Sequence, residues 1–352
     1  MAQGALHSMD AANDGRFDAS QSIADFRIRS LICAPLLNSE GVPFGALQID
    51  TTSNQGQFAA EDVDLLSSVA TQAATVIRNA QLHEQALQQR EVEQDLKLAT
   101  EVQQAFLPQA PLEIPGWRVL SYYQAANHIG GDYFDYVTLP DGRIAVIVAD
   151  VVGHGVAAAM FMAKLSAETR FCLAGSPDDL AAAIMRLNDR LSQLLVERFV
   201  TFLMMVISPD GDTVSIVNAG HMPPICRSSD KEEIHEPGEE ESGLPIAIDE
   251  GMDYEVVRID MAYGDLAVMY TDGINEAMNA DGDEFGMEAV REITQRGTNS
   301  QGVMADLTGR VKAFIGDGIQ HDDMCVVILQ RVENKVDNGD ANLSQPAATV
   351  RT

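Results

Sequence analysis

The sequence predicts an α+β fold joined by a long helix to a smaller N-terminal segment. Three observations predict it. Short apolar runs of strand length recur between residues 119 and 330, with Asp141-Gly142 and Asp210-Gly211 as hairpin turns between neighbours. Helical stretches interrupt these runs in groups instead of following each one, which separates α+β from a parallel α/β sheet. Residues 61–107 contain neither Gly nor Pro, a span longer than an ordinary globular helix.

Composition narrows the function classes. A chain of 352 residues has room for about two domains. Lys plus Arg is 23 and Asp plus Glu is 53, so the net charge is −30. Phosphate backbones and anionic membrane surfaces repel such a chain, so neither nucleic acid nor a membrane is an expected partner. No apolar run reaches the ~18 residues of a spanning helix. The first residues show no basic or apolar leader region. The four cysteines, Cys33, Cys172, Cys226 and Cys325, are scattered and form no C-x-x-C pair. That argues against a disulfide framework or structural zinc and fits a reducing cytoplasm.

Taken in order, residues 1–25 are polar and poorly patterned. Strands are expected at Arg27–Leu37 and Pro43–Asp50, separated by a turn at Asn38-Ser-Glu-Gly41. Apolar residues then recur with helical spacing at Val63, Leu66, Ala70, Ala73, Ile77 and Ala80, and again at Leu87, Leu96, Ala99, Val102 and Phe106. The helix ends at Pro108, and its length favours a connecting or coiled-coil role over an ordinary surface helix. Strands follow at Val119–Gln124, Tyr133–Leu139, Arg143–Asp150, Phe199–Ser208, Thr213–Ala219, Tyr254–Ile259, Asp265–Tyr270 and Met324–Gln330. Helices are expected at Ala157–Leu173, Asp178–Val196, Phe285–Gln295 and Gly302–Ile315. The acidic run from Asp230 to Glu241 reads as a solvated loop, in preference to a cation or basic-partner site. The residues after Glu333 lack pattern and read as a disordered tail.

Four motifs carry carboxylates at the ends of core-type strands. They are Gly130-Gly-Asp132-Tyr-Phe-Asp135, Asp150-Val-Val-Gly-His-Gly155, Thr271-Asp272-Gly273 and His321-Asp322-Asp323. One such Asp is more often a turn or cap residue. Several converging on one edge would repel one another and be costly to desolvate. Hard cations such as Mg²⁺ or Mn²⁺ remove that cost. Histidine is sparse, at 7 residues, with no H-x-x-x-H pair, so a zinc protease has no support. Asn279-Ala-Asp-Gly-Asp283 fails as a calcium loop, because Ala277 would stand where a carboxylate is required. His221 is either a general acid or, with Asn218, a turn residue bonded to backbone, and the turn reading is favoured. His154 lies either near substrate or on an exposed turn. Gly153-x-Gly155-x-x-Ala158 matches a dinucleotide-binding pattern, but the acidic pair Asp178-Asp179 starts a helix instead of ending a second parallel strand.

Seven motifs stand in the order of one family. They are Phe106-Leu-Pro through Gly116-Trp, Gly130-Gly-Asp-Tyr-Phe-Asp135, Asp150-Val-Val-Gly-His-Gly155, Asn218-Ala-Gly-His221, Gly243-Leu-Pro245, Tyr270-Thr-Asp-Gly273 and Asp322-Asp-Met324. Over about residues 105–331 the chain resembles the SpoIIE family of bacterial PPM-type (protein phosphatase 2C-like) serine/threonine phosphatases. The resemblance implies an α-β-β-α sandwich with two Mn²⁺ or Mg²⁺ ions at one end. It implies Asp132, Asp150 and Asp272 as the catalytic set. Asp132 and Asp150 would be metal ligands, Asp150 bridging both ions. The Val151 carbonyl, Asp272 and Asp322 would complete the site, with Asp322 preferred to Asp323 because the first Asp of the pair matches the ligand position. The implied chemistry is attack of metal-activated water on phosphoserine or phosphothreonine. Val152, Cys325 and Ala247 depart from the family pattern without removing a carboxylate.

Phe26–Glu84 resembles the C-terminal half of a GAF sensor domain, on Arg29-Ser-Leu-Ile-Cys-Ala-Pro-Leu-Leu37, Pro43-Phe-Gly-Ala-Leu-Gln-Ile49 and Phe58-x-x-Glu-Asp-x-x-Leu-Leu66. The expected organisation is a partial GAF-like segment at 1–82, a helical linker at 83–107, a phosphatase-like domain at 108–331 and a tail at 332–352. A two-stranded fragment buries too little to stand alone, so the segment either belongs to a longer protein or packs on a partner. The resemblance further implies a signalling phosphatase whose substrate is a phosphorylated regulator, such as an anti-sigma-factor antagonist, and a homodimer paired through the linker. The alternatives are a non-catalytic module that keeps the fold and, less favoured, a dinucleotide-binding protein.

Overall fold

The computed structural model describes residues 4–9, 11, 28–53, 57–194, 198–208, 211–230 and 233–333. The chain divides into two compact units, residues 1–94 and 95–352.

In the first unit β1 (Leu6–Ser8), β2 (Ser30–Leu37) and β3 (Pro43–Thr51) form an antiparallel sheet in that order. Asn38 fastens the β2–β3 turn, its side chain accepting from Glu40 and Val42 N–H. Helix α1 (Ala60–Gln104) starts in this unit. It sets Leu66 and Ala70 against Ile32 and Ala34 of β2. β1 was hidden in the sequence because three residues in a polar stretch carry no period.

The second unit begins with the last ten residues of α1. Its six-stranded sheet runs β11 (Ile234–His235), β10 (Ile225–Arg227), β13 (Leu266–Tyr270), β14 (Met324–Arg331), β5 (Trp117–Gln124), β4 (Glu113–Ile114). Its five-stranded sheet runs β12 (Val257–Asp260), β9 (Thr213–Ala219), β8 (Val200–Ile207), β7 (Ile144–Val151), β6 (Tyr133–Thr138). All neighbours pair antiparallel. The inner faces share one core, with Val119, Met269, Val327 and Leu329 opposite Phe134, Val148 and Leu203.

Helices α2 (Val156–Gly175) and α3 (Leu180–Ser192) join the core beside the five-stranded sheet, where α2 touches β6 and β7. Helices α5 (Met287–Arg296) and α6 (Ser300–Ile315) cover the outer face of the other sheet, where Val290, Leu307 and Val311 meet Val268, Val326 and Ile328. The layers therefore run helix, sheet, sheet, helix. Strand β7 reads as an unbroken apolar run because both its faces are covered.

Several expected boundaries shift for local reasons. Asp179 caps α3 by accepting from Ala182 N–H, so the helix starts at Leu180 and not at Asp178. Gly286 has φ 83°, so α5 cannot begin at Phe285. The Tyr254 ring lies against Gly243, where an added Cβ would meet Cδ1 at 2.7 Å, and β12 starts only at Val257. The acidic run is not all loop: Ile234 and His235 form β11, and Glu236 pairs with Arg291. Strand β7 is followed by an antiparallel β8, which removes the dinucleotide reading. The residues after Glu333 lie outside the described ones.

One ion cluster ties α2 to α3. Lys164 and Arg190 both bond Glu168, which is buried. The hydrogen bonds from Arg190, then Lys164, hold the Glu168 carboxyl down to about 2, below its usual 4.5. This contribution is fully present above about pH 4.5 and is lost as pH falls through about 2. Glu168→Gln should therefore destabilise the chain at pH 7 and leave it unchanged near pH 2, as read by urea melts at the two values.

Candidate functional site

Antiparallel pairing gathers the strand-end carboxylates. Asp132 stands just before β6, and Asp150 with Val151 ends β7, so both lie at one end of that sheet. Asp272 follows β13 and opens α4 (Asp272–Asn275), while Asp322 and Asp323 precede β14. The structure thus brings together every residue singled out for the site. Asp132 and Val151 are buried, Asp150 and Asp272 half-buried, and Asp322 exposed.

Their electrostatics follow from that placement. Burial, then Asp150, then Asp323, push Asp132 well above the usual carboxylate range. Burial, then Asp272 and Asp322, push Asp150 up to about 7. Burial and Asp322 push Asp272 up to about 6. Burial and neighbouring carboxylates are thus common to all three.

Three glycines let the turns close on one another. A Cβ on Gly131 would stand 2.8 Å from Val151 O and 3.5 Å from Asp150 Oδ1. One on Gly130 would stand 2.1 Å from Asp323 Oδ2. One on Gly273 would stand 1.9 Å from Asp323 O, a backbone atom that cannot swing aside. Gly273→Ala should therefore cost roughly 2–4 kcal/mol, measurable by chemical denaturation.

Other residues hold the site, among them Asp323, which the sequence offered as the alternative to Asp322, and Thr271, Gln103 and Arg198, which it did not single out. Thr271 Oγ1 donates to Asp132 Oδ2 at 2.6 Å and accepts from Cys325 N–H at 3.0 Å, joining both sheets. Asp323 accepts from Ala126 N–H at 2.8 Å and Gly131 N–H at 2.6 Å, with Asp132 N–H at 3.4 Å. Its carboxylate is thus engaged by backbone, and Asp322 is the freer of the pair. Near the end of α1, buried Gln103 donates to Gly130 O at 2.6 Å and accepts from Gly130 N–H at 3.2 Å. Arg198 donates to Val152 O. A signal for Thr271 existed, since it directly precedes the Asp272 turn; Gln103 and Arg198 lie in stretches with no motif.

His221 takes the turn role: Asn218 accepts from His221 N–H at 2.9 Å and donates to His221 O at 2.9 Å. Burial lowers His221 to about 4, leaving it neutral at pH 7. His154 is exposed.

The donor set suits a hard divalent ion. It offers carboxylate and carbonyl oxygens only, and the carboxylates raise one another's pKa by mutual repulsion. Among the described residues, no three His, Cys, Asp or Glu side chains converge closely enough to form a ready-made cage.

Comparison with known proteins follows the same lines. A GAF domain matches residues 3–77, earlier than the expected start at Phe26. The chain is 23% identical to Protein IcfG of Synechocystis over 67% of its own length and 41% of that protein. It is 22% identical to the phosphoserine phosphatase RsbU of Bacillus subtilis, over 69% of its length and 72% of that protein. The chain thus spans less than half of the first of these relatives. The solved SiaA-PP2C domain of Pseudomonas aeruginosa superposes with a TM-score of 0.60 at 19% identity, covering 70% of this chain and 99% of that domain. The family described as Stage II sporulation protein E (SpoIIE) matches residues 140–332, which is 332 − 140 + 1 = 193 of 352 residues. This chain therefore belongs to the SpoIIE family.

Proposed function

We propose that the chain is a metal-dependent protein phosphatase that hydrolyses phosphoserine or phosphothreonine on a regulatory protein. The observation that carries this reading is the meeting of strand-end carboxylates from both sheets at one end of the sandwich. Asp132, Asp150, Asp272, Asp322 and the Val151 carbonyl would hold two Mn²⁺ or Mg²⁺ ions. When bound, such ions supply an acidified water and offset charge on a phosphoryl group.

The chain's own groups prepare that site. Thr271 fixes the direction of the Asp132 carboxylate. Asp323 and Gln103 hold the Gly130–Asp132 backbone in place. The relatives support the substrate class: RsbU is named a phosphoserine phosphatase. In this reading the substrate is a small phosphorylated regulator, such as an anti-sigma-factor antagonist, in the cytoplasm. Within this reading, residues 1–82 form a GAF-like sensor segment, 83–107 a linker and 108–331 the catalytic domain.

The test is hydrolysis of a phosphoserine peptide with and without Mn²⁺, with Asp150→Asn as control. Metal-independent turnover, or full activity in the variant, would sink the proposal. We also propose that α1 pairs between two chains. It exposes Val76, Ile77, Leu87, Leu98 and Val102, an unusual number of apolar side chains for a solvated helix. A monomer in sedimentation equilibrium of the full chain would exclude that pairing.

A further inference from the structure

Strand β5 has one open edge. Toward β14 it pairs along its whole length, from Trp117↔Arg331 to Gln124↔Met324. Toward β4 it pairs only at Trp117 and Arg118, because β4 is two residues long. Val332 N–H donates to Gly116 O, which places the even-numbered peptide groups on the β14 side. Strand alternation then turns the N–H and C=O groups of Val119, Ser121 and Tyr123 to the open side. Among the described residues no backbone group bonds to them there. Such an edge is a template for one more strand.

The edge lies along a groove of about 760 Å³. One wall is α6, which presents Met304, Ala305, Thr308 and Lys312 at helical spacing. The other is Leu107 with Pro108 and Pro111. A strand seated between these walls would send alternate side chains toward α6 and toward Leu107 and Phe134.

Charge selects the occupant. In a protein of net charge −30, no Asp or Glu lines the groove, and Lys312 is its one Lys or Arg. Lys312 Nζ sits 5.3 Å from the centre of the Tyr122 ring, at the far end of the open edge. We infer that this groove binds an extended peptide segment of a partner protein as an added strand on β5, the segment being uncharged apart from one acidic group beside Lys312. Recognition is through backbone pairing, with side-chain pockets on alternate positions.

The test uses the full chain and a dye-labelled acetylated heptapeptide of alternating valine and threonine, ending in glutamate, read by fluorescence anisotropy. Saturable binding is expected. Methylating alternate peptide nitrogens removes the ladder donors and should weaken binding about tenfold or more. Ser121→Pro should do the same, because its N–H faces the open side and the β14 ladder is untouched. Ala305→Trp, at an exposed position on α6, should abolish binding without disturbing the fold. Lys312→Glu should weaken the glutamate peptide about tenfold and leave its glutamine counterpart unaffected. Absence of saturable binding, or equal affinity for the methylated peptide, overturns the inference. So do dimers that Ser121→Pro dissociates, since the edge would then belong to a second copy of the chain.

Discussion

Asp150→Asn is expected to remove metal-dependent hydrolysis, by roughly a thousandfold or more, and to make the metal-free chain more stable. The two effects share one cause. Asp150 is pushed from its ordinary 3.8 to about 7 by burial, Asp272 and Asp322. Keeping that carboxylate charged costs the folded chain roughly 2–4 kcal/mol. Asparagine keeps the shape and removes the charge, so the melting temperature in EDTA at pH 7.5 should rise, on the order of 5 °C. The pH dependence has a definite sign. Between about pH 4 and 7 the unfolded chain has released the Asp150 proton while the folded chain keeps it. The folded state binds more protons, so stability in EDTA falls as pH rises through that window. The Asn variant should flatten the slope, and Mn²⁺ should restore stability to the parent alone. A variant that melts lower than the parent in EDTA would contradict this account.

The second large effect separates two adjacent aspartates. Asp323→Ala removes the acceptor for the N–H groups of Ala126 and Gly131, leaving them short of a partner at a buried site. Each such loss costs about 1–3 kcal/mol, so the variant should lose roughly 3–5 kcal/mol by urea denaturation. Asp322→Ala removes one acceptor, that of Asp323 N–H, at a half-buried site and relieves repulsion on Asp150 and Asp272, so its net cost is smaller. It should fold with less than half the loss of Asp323→Ala, and with activity reduced. Equal destabilisation by both substitutions would show that Asp323 is not the fastener.

Much of this was legible in the sequence because the controlling signals are local. β7 announces itself by an apolar run that ends in Asp150, and β9 by Thr213–Ala219, which the structure reproduces residue for residue. The strand-end carboxylates could be named because Asp132, Asp150 and Asp272 sit in glycine-containing turns and Asp322 directly precedes an apolar run. What could not be read depends on contacts distant in sequence. Ile234 and His235 become a strand only because β10 lies beside them. Gln103 matters because Gly130 folds back onto it, and no periodicity records that meeting. The role of Asp323 rests on N–H groups 197 and 192 residues away.

The position of β14 carries a consequence for the order of folding. This strand inserts between β13 and β5, and Asp322 and Asp323 stand at its start. Synthesis delivers Asp132, Asp150 and Asp272 well before it. Until β14 emerges, the six-stranded sheet is split in two and the Gly130 turn lacks its clasp. High contact order makes this a late, slow event. A growing chain therefore holds three carboxylates in an unfinished pocket, and its unpaired β13 and β5 edges are the ones that chaperones would have to guard.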